Sequence, residues 1–198
     1  MKNNINKKIS ATLLSAAIMA GTAVIPMSNA AVEAKVNNAP SIKISAHVQD
    51  LGWMDPVEAK EGNVVGTFWQ QRRVEAMKFD LRNCPGVTLS IVAHVQDHGD
   101  MEFTVGAEDF DKMVGTQWEQ RRMEAITITS NGLHEQGFKL QYKAHVQDHG
   151  WQDWVEEGEM AGTRWEQRRV EAIEMRIVAI DNVAAVKTAT VAKLNSYD

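Results

Sequence analysis

The pentapeptide AHVQD occupies residues 46–50, and the same five residues return at 93–97 and at 144–148. Each copy is followed by Gly-Thr-x-Trp and then by Arg-Arg-x-Glu-Ala. The histidine and the glycine are 19, 21 and 17 residues apart, whereas the glycine and the glutamate are 9 residues apart in every copy. Variable length is typical of a surface loop, and constant length of packed structure. The chain therefore contains three copies of one structural unit.

The repeats divide the chain into a single predicted domain, residues 42–180, with three units at 42–82, 87–130 and 138–180. Residues 31–41 read as an unstructured leader, and residues 181–198 form a C-terminal tail without a counterpart elsewhere in the chain.

The first block of each unit alternates between apolar and polar residues. In the first copy the apolar set is Ile42, Ile44, Ala46 and Val48, and the polar set is Lys43, Ser45, His47 and Gln49. A period of two predicts a strand with one buried face. The His and Gln side chains are therefore expected to point away from the core.

The last block is compatible with two conformations. The stretch TRWEQRRVEAIEMR (163–176) is rich in helix formers and opens like a capping box. The second copy ends in ITITS (126–130), a β-branched run that favours a strand. Because the copies must share one conformation, we predict a strand from Glu-Ala onward, with one helical turn at the tryptophan. The middle segment predicts a hairpin with a turn at EEGE (156–159).

These elements predict an all-β domain of about twelve strands with three-fold pseudo-symmetry. Units that cannot bury a core alone are expected to close on one another, since closure removes exposed sheet edges. A β-trefoil is the first choice and a β-prism the alternative. A straight solenoid fits less well because three units would leave two open ends.

The N-terminus resembles a secretory signal peptide, residues 1–30. Three lysines precede the apolar run ATLLSAAIMAGTAVI (11–25), and Ser28 and Ala30 form a small-x-small cleavage site. The apolar run is shorter than the ~20 residues that span a bilayer, which argues against an anchor. We expect a protein that is secreted, or noncovalently associated with the cell surface, with no stable membrane insertion after cleavage.

Charge and composition exclude several classes of function. Cleavage would remove three lysines and no acid, moving the formal charge from −5 to −8. An acidic chain lacks the basic footprint that nucleic acids require. The single Cys84 cannot form an internal disulfide. The sequence lacks the nucleophile-elbow, His-Glu-x-x-His and phosphate-loop motifs, so we expect neither an enzyme nor a bound metal or cofactor.

Polar residues that recur in every unit, together with nearby tryptophans, have the make-up of a sugar site. Aromatic faces stack on sugar C–H groups, and planar polar side chains pair with hydroxyls. The candidate ligand-binding residues are His47, Gln49, Asp50, Trp53, His94, Gln96, Asp97, His145, Gln147, Asp148, Trp151 and Trp154.

A second set is either structural or ligand-binding: Arg73, Glu75, Arg122, Glu124, Arg169 and Glu171. Each Arg could hold the carboxylate or sulfate of an acidic sugar, or clasp its glutamate between units. The tryptophan after each Gly-Thr-x is interpreted as core filler; these are Trp69, Trp118 and Trp165. The recurrent His and Gln could also be structural, since recurrent junctions need recurrent residues.

With these motifs in view, the units resemble ChW (clostridial hydrophobic, with W) repeats. The family pattern is similar to His-Val-Gln, then Gly-Trp-Gln-x-Trp, then Gly-Thr and Arg-x-Glu-Ala, and residues 142–178 fit it throughout. The second unit departs from it, with Gly-Asp-Met at 99–101 and no counterpart of Trp154. The resemblance implies an exported protein and surface or carbohydrate recognition, with the second site impaired if the family tryptophan carries binding.

We therefore expect a non-catalytic binding module that recognises a glycan or cell-wall polysaccharide through up to three equivalent sites. The alternative is a structural or protein-interaction module with an extracellular protein as its partner.

Overall fold

A computed structural model describes residues 39–180. The predicted signal peptide (1–30), most of the predicted leader (31–41) and the tail (181–198) lie outside the described residues. Among residues 39–180, no helix is long and apolar enough to cross a membrane.

The described part of the chain is all-β, as predicted. Unit 1 contains β1 (Ser41–Val48), β2 (Gly52–Trp53), β3 (Val57–Glu58), β4 (Val64–Gly66) and β5 (Val74–Arg82). Unit 2 contains β6 (Thr88–Val95), β7 (Gly99–Gly106), β8 (Val114–Gly115) and β9 (Met123–Asn131). Unit 3 contains β10 (Phe138–Val146), β11 (Gly150–Trp151), β12 (Val155–Glu156), β13 (Met160–Gly162) and β14 (Val170–Ala179). A single 3-10 turn, His134–Gln136, precedes β10.

Each unit is built on one long antiparallel pair. The AHVQD strand pairs with the Arg-x-Glu-Ala strand, giving β1–β5, β6–β9 and β10–β14. In the first pair Ile44 lies opposite Phe79, and both side chains are fully buried. The last block of the repeat is thus a strand, and its helix-forming residues are overridden by burial of the apolar face.

The Gly-Thr strand of each unit joins the sheet of another unit. Strand β8 of unit 2 pairs with β5 of unit 1, β13 of unit 3 with β9 of unit 2, and β4 of unit 1 with β14 of unit 3. The three exchanges link the units in a cyclic order. The predicted central hairpin is wrong, because β12 pairs with β10 whereas β13 pairs with β9.

None of the three sheets is closed on itself. The choice between a β-trefoil and a β-prism stays a prediction. The buried side chains of all three units form one hydrophobic cluster.

The exchange requires glycine at Gly66, Gly115 and Gly162. All three have positive φ angles, 101°, 104° and 109°, and a Cβ at any of them would overlap the Glu-Ala backbone of the neighbouring unit. The next residue completes the contact, since the amide of Thr116 donates to the Glu75 carbonyl oxygen at 3.0 Å. Close approach of two backbones thus explains why Gly-Thr recurs in every unit.

Candidate functional site

The three AHVQD histidines are buried rather than outward-facing. His47, His94 and His145 are only 4%, 6% and 2% exposed. In unit 1, His47 alternates with the core residues Ile44, Ala46 and Val48, and the strand face that it occupies is buried as well because aromatic rings cover it. The His47 ring centre, for example, lies 5.5 Å from that of Trp53 and 5.4 Å from that of Trp118 of unit 2.

A buried glutamate lies beside each histidine and is held by an arginine. In unit 1, Glu75 Oε2 lies 3.0 Å from His47 Nδ1, and Arg73 Nη2 lies 2.7 Å from Glu75 Oε1. In unit 3 the corresponding distances are 3.1 and 2.6 Å. The His–Glu approach is off the hydrogen-bond direction, so both ring nitrogens of His47 and of His145 lack a hydrogen-bond partner among the described residues.

Unit 2 satisfies its histidine differently. Asp100 stands opposite His94, where Trp53 and Trp151 stand opposite the other two histidines. Asp100 Oδ1 lies 2.7 Å from His94 Nδ1, within hydrogen-bond distance. The Glu124 carboxylate is farther away, at 3.8 Å from His94 Nε2.

The aspartate of each AHVQD adopts a left-handed backbone and is bound by the first arginine of Arg-Arg. Asp50, Asp97 and Asp148 all have φ of 62°, a conformation that Asp and Asn tolerate better than most residues. Arg72 Nη1 donates to Asp50 at 2.9 Å and Arg168 Nη1 to Asp148 at 2.7 Å, and Arg121 pairs with Asp97.

The tryptophan after each Gly-Thr-x is exposed, so the core-filler interpretation is wrong. Trp69, Trp118 and Trp165 are 79%, 81% and 84% exposed. Their φ angles are 67°, 67° and 65°, and the glutamine two residues later is also left-handed in every unit. Sequence reasoning placed neither residue in the site. The available signal was a large aromatic embedded in QQRR-like polar sequence with no apolar partner at strand spacing.

These residues meet in three clefts that each draw on two units. Cleft 1 is lined by His47, Gln49, Asp50, Arg73 and Glu75 of unit 1 with Trp118 and Gln120 of unit 2. Cleft 2 is lined by His94, Gln96, Asp97, Arg122 and Glu124 of unit 2 with Trp165 and Gln167 of unit 3. Cleft 3 is lined by His145, Gln147, Asp148, Arg169 and Glu171 of unit 3 with Trp69 and Gln71 of unit 1. The volumes are about 550, 530 and 370 Å³.

The remaining candidate tryptophans do not line these clefts, and cations cover their ring faces. Lys78 Nζ lies 4.7 Å from the ring centre of Trp53. Lys143 Nζ lies 5.0 Å from that of Trp151 and 4.7 Å from that of Trp154, which is also contacted by Arg176 at 4.1 Å. A sugar stacking on these rings would have to displace a cation, so Trp53, Trp151 and Trp154 are better placed to position the histidines and the sheet than to bind ligand.

The variable residue before each exposed tryptophan contacts the residue opposite a histidine in the adjoining unit. The ring centre of Phe68 lies 6.1 Å from that of Trp151, and Arg164 Nη2 pairs with Asp100 Oδ2 at 2.9 Å. Gln117, with its amide oxygen turned toward the indoles, accepts from Trp53 Nε1 at 3.3 Å. We call the contact region between two units a junction. Each of the three junctions thus contains a different pair of contacting side chains.

Among residues 39–180, no group of three or more His, Cys, Asp or Glu side chains is arranged to hold a metal ion.

The sequence model of the ChW family (Clostridial hydrophobic W) matches two segments of the chain, residues 47–83 and 145–179. These segments lie in units 1 and 3. Comparison with curated proteins and with solved structures gave no match.

Proposed function

We propose that the protein is a non-catalytic binding module that recognises carbohydrate through clefts 1, 2 and 3. In this proposal the module is exported and acts outside the cell or on its surface, in keeping with the ChW match to units 1 and 3 and with the signal-like sequence of residues 1–30.

The observation that carries the proposal is the exposed, left-handed tryptophan in every cleft. A left-handed backbone costs a residue with a Cβ roughly 1–2 kcal/mol, and leaving an indole in water forgoes its burial. Each indole contacts a histidine ring edge-on yet remains about four-fifths exposed, so the protein recovers little of this cost. Strained backbone and large exposed aromatics are characteristic of ligand sites.

The surrounding groups complete a surface for sugar hydroxyls. In cleft 1, Gln120 projects from the same segment as Trp118, and Gln49 and Asp50 face them from unit 1. An amide side chain both donates and accepts, which matches a hydroxyl. Shallow sites of this kind are weak singly, and three on one body gain by avidity when the ligand is a polymer.

The arrangement favours binding over catalysis. Glycoside hydrolysis uses two carboxyl groups in unlike environments. Here each buried glutamate is paired with an arginine, and the same residues recur in all three clefts. Three similar clefts suit repeated recognition of a polymer.

The proposal is tested by retention on insoluble polysaccharides of the wild type and of the triple variant Trp69→Ala, Trp118→Ala, Trp165→Ala. We expect the triple variant to lose retention and to change little in melting temperature, because the removed rings are about four-fifths exposed and each contacts a single histidine ring. The control is Phe110→Ala, which removes an exposed aromatic that lies outside the three clefts. Retention of the triple variant at the wild-type level would contradict the proposal.

Binding of an extracellular protein is the second candidate, and the same tryptophans favour it. Exposed Trp beside Arg is typical of interface hot spots. Soluble oligosaccharide that competes the protein off its target would favour carbohydrate. A captured protein that oligosaccharide cannot displace, and that the triple variant fails to capture, would favour the second candidate.

A further inference from the structure

The charged groups that line the three clefts are already matched to one another. Each AHVQD aspartate is paired with the first arginine of Arg-Arg, and each buried glutamate with the second. Clefts 2 and 3 carry one further histidine each, and it too faces a carboxylate. His98 Nε2 lies 2.8 Å from Glu119, and His149 Nε2 lies 3.5 Å from Glu166. The clefts therefore have almost no net charge to offer a ligand.

The arginines in and beside the clefts already donate to carboxylates of the protein itself. In cleft 3, both Nε and Nη2 of Arg169 donate to Glu171 Oε1, at 2.9 and 2.6 Å. Beside cleft 1, Nη1 of Arg72 donates to Asp50 and to the Gln49 carbonyl oxygen, at 2.9 and 3.0 Å. At the second arginine of each unit, a ligand carboxylate or sulfate would have to displace the buried glutamate and leave it unpaired, which is costly.

The net charge of the chain acts in the same direction. The protein carries a formal charge of −5, so a polyanion is repelled at long range rather than steered toward the clefts. A phosphate-rich or uronate-rich polymer has no compensating attraction in the cleft lining.

The groups that remain free to contact a ligand in the three clefts are uncharged side chains. The indole face of Trp118 and the amide of Gln120 are exposed, as are their equivalents Trp165 with Gln167 and Trp69 with Gln71. Stacking and neutral hydrogen bonds remain as the means of recognition.

We propose that the ligand of the three clefts is a neutral polysaccharide, built of pyranose units without carboxylate, sulfate or phosphate groups. This inference rests on the proposed carbohydrate-binding function and names the class of sugar. Asp50, Asp97 and Asp148 act in it as internal carboxylate partners of Arg72, Arg121 and Arg168, which keep anionic sugars out.

The test is affinity electrophoresis of wild-type protein in native gels containing one polysaccharide each. The neutral probes are dextran, mannan, xylan and hydroxyethylcellulose, and the acidic probes are polygalacturonate, hyaluronate and heparin. We expect retardation by at least one neutral probe, at least tenfold weaker retardation by every acidic probe, and less than a twofold change between 50 and 500 mM NaCl. The Trp69, Trp118 and Trp165 triple alanine variant is run in parallel.

The outcomes separate this inference from the function on which it rests. Retardation only by acidic probes, lost in the triple variant, would overturn the neutral class and retain carbohydrate binding. Retardation by no probe, or retardation unchanged in the triple variant, would overturn both.

A second variant tests the reason for the exclusion. The triple change Asp50→Asn, Asp97→Asn, Asp148→Asn removes the carboxylate partner of Arg72, Arg121 and Arg168, and asparagine suits the left-handed backbone at these positions. We expect this variant to gain at least tenfold retardation by polygalacturonate, and the gain to disappear at 500 mM NaCl. No gain would mean that the paired aspartates are not what excludes acidic sugars, and the charge argument would be wrong.

Discussion

Clefts 2 and 3 present the same set of side chains, yet the junctions beneath them have different chemistry. Below cleft 3, the junction between units 3 and 1 is aromatic, with Phe68 beside Trp151. Below cleft 2, the junction between units 2 and 3 is ionic, with Arg164 paired to Asp100. The residues that line the clefts and the residues that form the junction pairs are therefore separate sets, although Phe68 and Trp69, for example, are neighbours in the chain.

Because the two sets are separate, the departure of unit 2 from the ChW pattern need not affect its cleft. Asp100 replaces the tryptophan that the ChW pattern has at this position, which suggested an impaired second site. In the structure the replaced residue belongs to the junction, and the lining of cleft 2 retains its His, Gln, Asp, Arg, Glu and Trp members. The ChW match leaves unit 2 out, and one of the departures of unit 2 from the pattern, Asp100, lies at the junction.

The largest loss of stability is expected from changes in the glycine contact that the junction between units 2 and 3 shares with the junction between units 3 and 1. Gly162→Val and Gly66→Val each place a side chain against the Glu-Ala backbone of the neighbouring unit. Each should lower the free energy of unfolding by more than about 3 kcal/mol, because rigid backbone cannot yield. Chemical denaturation measures both. Similar losses would show that the strand exchange is common to the two junctions, and a loss at only one would break that equivalence.

A smaller loss of stability is expected from removing the hydrogen bonds of Tyr142, which lie at the junction between units 2 and 3. Tyr142 Oη accepts from the Ile128 amide at 2.8 Å and donates to the Glu159 carbonyl, whereas the equivalent positions hold Ile44 and Ile91. Tyr142→Phe leaves a buried amide unpaired and should cost about 2 kcal/mol near pH 8.

The pH dependence of that loss has a defined sign. Burial raises the pKa of Tyr142 to about 12 from the usual 10.0, so the fold favours the protonated phenol. The stabilisation is complete below pH 10 and is lost as the pH rises from 10 through 12. The difference between wild type and Tyr142→Phe in urea denaturation should narrow over that range. A difference that stays constant to pH 12 would contradict the assignment.

The ionic pair of the junction between units 2 and 3 should be interchangeable with the pair found at the junction between units 1 and 2, Trp53 with Gln117. Asp100→Trp and Arg164→Gln should each destabilise by about 1 kcal/mol, since each leaves one partner unmatched. The double variant should lose less than the sum, with a coupling of about 1 kcal/mol in a double-mutant cycle. Strict additivity would show that the pairs do not specify the junctions.

The smallest effect on stability is expected from the exposed tryptophans taken singly. Trp165→Ala in cleft 2 and Trp69→Ala in cleft 3 should each change the free energy of unfolding by no more than about 0.5 kcal/mol. Each should lower the binding stoichiometry from three to two, measured by titration calorimetry with an oligosaccharide cut from a retained polysaccharide. A stoichiometry that falls for Trp69→Ala alone would show that cleft 2 is inactive despite its complete lining.

The parts of the fold that follow from local pattern could be predicted from the sequence. Alternation around Ile44 and Ala46 defines a strand regardless of its partner, and β-branched residues in ITITS settle the conformation of the last block. The prediction of the central hairpin was wrong because the segments on either side of its turn pair with other strands, β12 with β10 and β13 with β9. Their sequence contains no information on which partner wins.

The candidate site was predictable where it depends on residues that recur along the sequence, and not where it depends on the contacts between units. His, Gln, Asp, Arg and Glu were found because they recur at fixed spacing, and the structure gathers them into clefts 1 to 3. The exposure of Trp118 was not predictable, since Trp118 has a left-handed backbone and lies shortly after β8, which pairs with β5 of another unit. The burial of His47 depends on the same contact between units.

The pairing of β4 with β14 joins the first repeat directly to the last. A chain organised in this way cannot be lengthened by adding copies at either end, as a stack of repeats can, because the place a fourth copy would occupy is already filled by the first. Nor can it lose one copy without leaving a sheet edge bare and a cleft half-built. The number of repeats is in this sense a property of the geometry, and evolution of the domain would proceed by replacing its units in place rather than by changing how many there are.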